Sequence, residues 1–128
     1  MMRPSQDRVG LSWRTELAAG VFAHQDQIDV VEVIAEDWFD ASRSKVSALR
    51  TLAAQIPVQL HGTSAGLASA APVEEKRLAK MARLVELVRP EAWSEHLAFV
   101  RGGGWEIGHL AAVPRNAVTV ENAAANVA

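Results

Sequence analysis

The sequence has no cysteine, which excludes a disulfide framework and any thiolate metal site and fits a reducing compartment. It has no basic cluster either. Thirteen Lys and Arg stand against fifteen Asp and Glu, a net charge of −2, so the electrostatic footprint of a nucleic-acid binder is missing. No window approaches the ~20 apolar residues of a membrane span, and "MMRPSQDRVG" lacks the apolar stretch of a signal peptide. A cytoplasmic protein is expected, with no nucleic acid and no membrane among its partners. Tyrosine is absent too, and the tryptophans at 13, 38, 93 and 105 have unrelated spacings. Core or rim packing suits them better than an aromatic platform.

What is present is ordinary globular material. The 128 residues are 49 % hydrophobic and 22 % charged, enough for one domain with a core of its own. Strand-like and helix-like segments alternate, the rhythm of an α/β fold with a parallel sheet. Strands are expected at 8–13 ("RVGLSW"), 29–36 ("DVVEVIAE"), 57–62 ("PVQLHG") and 92–100 ("AWSEHLAFV"). Between them lie helical patterns. One starts at a Thr15 cap and ends near His24; another covers 42–56, with Val46, Leu49, Leu52 and Ala53 on one face. A third begins at Pro72, carries Leu78, Met81, Ala82, Val85 and Val88 as its stripe, and stops at Pro90. "RGGG" at 101–104 reads as a turn into "WEIGHL", and "PRNAVTVENAAANVA" as the start of a fourth helix, with a strand at "AVTVEN" as the alternative.

Alternate residues of a strand share a face. Val31, Val33 and Ala35 oppose Glu32, Ile34 and Glu36; Val58 and Leu60 oppose Gln59 and His61; Trp93 and Leu97 oppose Ser94 and His96. Each strand thus has one face suited to covering helices and one that is polar. A sheet covered on both sides would bury those polar groups at ~1–3 kcal/mol each if unpaired. A barrel resolves this by opening its inner face at the strand C-termini, where ligands bind. Glu36, His61 and His96 fall at such ends. Glu95 breaks the alternation, so it either faces outward or lies in a distorted strand end.

Imidazoles and carboxylates together suit iron, zinc or manganese. The spacing is no compact metal motif, and the plain reading makes His61 and His96 polar residues at strand ends. His24, at a helix end, fits the surface; His109, after the glycine-rich turn, fits either site or surface. "HGTSAG" has the glycine and hydroxyls of a phosphate cradle but lacks the lysine of a P-loop. Glu32 and Glu36 suit acid–base work, although a single inward carboxylate bonded to a neighbouring strand is commoner.

"VGLSWRTELA", "DVVEVIAEDWFD", "PVQLHGTSAGLASA" and "RPEAWSEHLAFVRGGGWEIGHLAAVPR", in this order and spacing, resemble the multinuclear nonheme iron oxidase family that includes the methanobactin-biosynthesis oxidase. The resemblance runs from about residue 8 onward. It implies the N-terminal half of a TIM (β/α)8 barrel, about four parallel strands with covering helices, and a cofactor of two or three iron ions at the strand ends. It implies oxidation of cysteines in ribosomally made peptides, with a partner protein presenting the peptide substrate. By position, His61 in "LHG" and His96 in "SEHL" match metal ligands, and His109 in "GHL" a histidine for metal or substrate. Glu36 in "AED" and Glu95 in "SEHL" match acidic positions of the mouth, where catalytic roles are expected.

A whole barrel needs eight βα units and typically ~250 residues. The expectation is therefore a partial barrel domain over 1–128, truncated after about four units, inactive alone and prone to self-association or pairing with a second half-barrel through its open edges. Two rivals stand beside the oxidase: a divalent-metal barrel of the xylose isomerase or endonuclease type, and a non-enzymatic fragment that kept the fold without the chemistry.

Overall fold

Four short strands pair in chain order into one parallel sheet: β1 (Gly10–Ser12), β2 (Val30–Ile34), β3 (Val58–Gly62) and β4 (Ala92–Glu95). The structure, a computed structural model, describes residues 7–128; the first six, part of the stretch read for a signal peptide, lie outside them. Helices α1 (Ala18–Ala23), α2 (Arg43–Ala53) and α3 (Glu75–Val88) make the crossovers that parallel neighbours require. An antiparallel hairpin, β5 (Phe99–Gly102) and β6 (Trp105–Ala111), follows β4, and helix α4 (Ala117–Val127) comes last. Strands and helices in this alternation form a partial TIM-barrel half, as expected.

The register sorts side chains into rows. Val31 pairs with Val58, and Val33 with Leu60. This row faces the helices and is buried against Leu49, Leu52 and Ile56 from α2 and its C-terminal turn, and against Met81, Leu84 and Val88 of α3. The other rows are polar: Ser12 beside Glu32 and Gln59, then Ile34 beside His61 and Ser94. Trp38 closes the top of the core, 8 % exposed, with the Lys45 ammonium 4.8 Å from its ring centre. Among the described residues no helix is long and apolar enough to cross a membrane.

Several expected boundaries move, each for a visible reason. Thr15 lies inside a 3₁₀ turn, Thr15–Leu17, and caps nothing. Helix α3 begins at Glu75, because Pro72 belongs to a loop pinned by Asn126 of α4. The Asn126 amide donates to the Leu67 and Ser69 carbonyls and accepts from the Val73 N–H. The buried stripe of α3 includes Leu84; Ala82 is exposed and Leu78 is 46 % exposed. The helix ends where Arg89 turns left-handed (φ 53°) ahead of Pro90, which disfavours a helical conformation in the residue before it.

The strand expected over 92–100 is two strands. At 96–98 the chain leaves the sheet, because the Ala98 carbonyl accepts from the Ala68 N–H and the Ser69 hydroxyl accepts from the Val100 N–H. Gly103 and Gly104, both at positive φ, make the tight hairpin turn that follows. The segment "AVTVEN" is helical; Asn116 caps it by accepting from the Thr119 N–H. Trp105 is 79 % exposed, so it packs in neither core nor rim.

Burial orders the cost of truncation. Leu60→Ala, which empties a fully buried place between β2 and the helices, is expected to destabilise by about 2–5 kcal/mol. Leu97→Ala removes an exposed side chain and should stay within about 0.5 kcal/mol of the parent. Urea unfolding of the two variants checks the difference.

Candidate functional site

His61 is the fourth residue of β3 and faces away from the helices. His96 follows β4 directly. The two imidazoles meet edge to face, ring centres 4.6 Å apart and planes at 67°. The contact follows from the pairing: His61 is in register with Ser94, and His96 lies two residues further on along the same side. Ser94 Oγ and His61 Nδ1 share a hydrogen bond of 2.8 Å.

The two carboxylates do something else. Glu36 sits in a 3₁₀ turn, Ala35–Trp38, that caps β2. Its Oε1 accepts from the N–H groups of Thr63 and Ser64 at 2.8 and 2.9 Å, while Oε2 is buried with no partner among the described residues. Glu95 is in register with Gly62 on the helix-facing side. With no side chain at Gly62, the Glu95 carboxylate folds over that backbone; a Cβ there would collide with it and crowd the Met81 methyl at 3.1 Å. Glu95 Oε2 accepts from the Ala65 N–H at 3.3 Å and Oε1 from the His96 N–H at 2.9 Å. Glu95 therefore lies on the outward row, at the last residue of its strand, and curls back under the loop.

Three consecutive amides, 63 to 65, thus point at two protein carboxylates. The loop that resembled a phosphate cradle is an anion cradle filled by its own acids. Its carbonyls are held as well: Arg101 donates to Ser64 O at 2.9 Å and Ala65 O at 3.2 Å. Arg101 and Arg77 both pair with Glu106, and Arg77 also pairs with Glu74. That network fixes the hairpin to the start of α3. His109 is exposed, in an open cavity of about 410 Å³ with Thr63, Ser64, Arg77 and Glu106. It does not join the histidine pair.

Burial pushes the Glu95 carboxyl above the ordinary glutamate value; the His96 and Ala65 amides oppose this, Glu36 adds to it, and His61 opposes it. Two imidazoles side by side fit the donor chemistry of iron, zinc or manganese. The donor number is short: among the described residues no three His, Asp or Glu side chains gather where they could hold an ion, and a catalytic zinc site, for comparison, takes three protein ligands. Ser94, Gly62 and Arg101 are the contributors that spacing alone did not single out. Ser94 stood on the polar face, but only the register shows it beside His61.

The sequence profile of the family described as RiPP precursor modification enzyme MbnB/TglH/ChrH matches residues 8–128, which include every residue of this site. The chain belongs to that family. It is the family that the sequence resemblance indicated. Among similar proteins, the UPF0276 protein of Streptomyces avermitilis is 39 % identical over 113 residues, 83 % of this chain and 23 % of the relative. The UPF0276 protein of Chromobacterium violaceum is 35 % identical over 97 residues, 76 % of this chain and 35 % of that one. That of Acaryochloris marina is 30 % identical over 105 residues, 82 % and 38 % of the two chains. This MbnB/TglH/ChrH chain therefore spans well under half the length of the curated relatives it matches.

The Glu95 shift has a sign. A carboxyl whose folded value is raised contributes stability below its ordinary value of 4.5 and loses it as pH rises through the raised one. Glu95→Gln, isosteric with the neutral acid, removes that loss. Its stability relative to the parent chain should rise with pH from about 4.5 and then level off, as read by urea unfolding in metal-free buffer at a series of pH values.

Proposed function

We propose that this chain supplies the first strands, and part of the metal site, of an iron-dependent oxidase that modifies cysteine side chains of ribosomally made peptides. The observation that carries the reading is the edge-to-face contact of His61 and His96 at the ends of β3 and β4, in a chain whose family modifies RiPP precursors. His61 and His96 act as nitrogen donors. Bound iron supplies redox chemistry toward dioxygen, which is the oxidant.

The remaining residues shape the mouth. Glu36 and Glu95 hold the loop over 63–65 from below and Arg101 holds it from the hairpin. That makes a fixed rim against which an extended peptide can lie. His109, exposed beside Thr63 and Ser64, contacts the peptide rather than the metal. Glu36 and Glu95 are positioning groups for that rim before they are acids or bases.

Two imidazoles make part of a site for one ion, not a cluster. In this reading the further ligands and the rest of the barrel come from outside residues 1–128, in keeping with the greater length of the relatives, and a second protein presents the peptide. Among the described residues β1 and β4 are the unpaired edges of the sheet: Leu11 is exposed on β1 and Trp93 on β4, with Val9 and Leu97 exposed just beyond them. Such edges pair with another half-barrel or with a second copy.

Three measurements test this. Anaerobic titration with ferrous iron should show one weak site, lost on His61→Ala or His96→Ala; equal binding by those variants contradicts the assignment. Light scattering at low micromolar concentration should show association, and a stable folded monomer speaks against the open-edge reading. Supplied with iron and dioxygen but no other protein, the chain should leave a cysteine-containing peptide unoxidised; turnover under those conditions overturns the incomplete site.

A further inference from the structure

We propose that Ser94 is a positioning residue that holds His61 in the Nδ1–H tautomer and reserves Nε2 for a metal ion. The inference rests on the metal-site reading above. It starts from the register: His61 has two neighbours on its row, Ile34 on one side and Ser94 on the other. Adjacent strands lie ~4.8 Å apart, so a hydroxyl at position 94 reaches the ring without strain, and it does so at 2.8 Å. Ile34 offers no hydrogen bond. Among the described residues Ser94 is the side chain that hydrogen-bonds to His61.

Nδ1 is committed whichever partner carries the proton, so only Nε2 is left to meet a cation. Nε2 has a free lone pair only if the ring proton is on Nδ1, and Ser94 Oγ then accepts it. Metal-binding histidines regularly pass their second N–H to an acceptor, which fixes ring and tautomer. Carboxylates commonly fill that role, but Glu36 and Glu95 turn to the loop amides at 63–65, and the hydrogen bond to His61 Nδ1 is made by Ser94. The hydroxyl is what remains. His96 braces the ring from another side, at 4.6 Å and 67°. A half-turn about the bond from Cβ to the ring would exchange Nδ1 for a carbon at Ser94 and forfeit the hydrogen bond.

The test compares the parent chain with Ser94→Ala and Ser94→Thr over all 128 residues, with circular dichroism confirming the fold. Long-range ¹H–¹⁵N NMR of the metal-free protein reads the His61 tautomer, and Co²⁺ titration reads metal affinity. The parent should hold Nδ1–H. Ser94→Ala should shift His61 toward Nε2–H and weaken Co²⁺ binding about 10- to 100-fold, and Ser94→Thr should restore both. A parent already in the Nε2–H form, or a tautomer and affinity unchanged in Ser94→Ala, overturns the proposal. If the parent binds no Co²⁺ but the tautomer responds as described, the positioning role of Ser94 stands and the metal-site reading fails.

Discussion

The parallel pairing of β3 with β4 sets His61 beside Ser94 and Gly62 beside Glu95, and the rest of the site is built on those two pairs. The first puts a hydroxyl on an imidazole and carries His96 into edge contact with the same ring. The second puts a carboxylate against a residue that has no side chain to exclude it. Sliding the register by one residue would turn each side chain of the strand to the opposite face. His61 would then point into the helix-covered core and Leu60 into the mouth. The apolar row of Val31, Val33, Val58 and Leu60, buried under α2 and α3, prevents that slide, so the core fixes the geometry of the polar face opposite.

The loop over 63–65 is where that geometry meets the hairpin. Its amides need acceptors because the loop is partly buried, and an unpaired buried amide costs about 1–3 kcal/mol. Glu36 and Glu95 provide them from two different strand ends, and Arg101 satisfies the carbonyls on the other side. One oxygen of Glu36 is left over, buried beside a second carboxylate. A buried carboxyl oxygen with no hydrogen-bond partner is a costly arrangement, and functional sites are where such costs are found.

The strand cores, three crossover helices and the polar character of one sheet face were legible in the sequence, because they rest on periodicity. Leu49, Leu52 and Ala53 face inward on α2 as their spacing required. What failed to read was non-local. The break at 96–98 depends on Ala68 and Ser69, some thirty residues earlier. The late start of α3 depends on Asn126, more than fifty residues later. Leu97 alternates with Trp93 as a core residue would, yet no element among the described residues covers it.

The sequence by itself determined that this is an α/β chain of alternating strands and helices with histidines at two strand ends, since hydrophobic period and turn residues act locally. Its quoted segments also pointed to the right family. Only the tertiary structure decided which polar groups share an atom's reach. It brought His96 to His61, set His109 in a cavity with Arg77 and Glu106, and turned Glu36 and Glu95 onto backbone amides. The reason is that strand register and loop contacts are set by packing between distant segments, and no spacing along one chain encodes the distance across it.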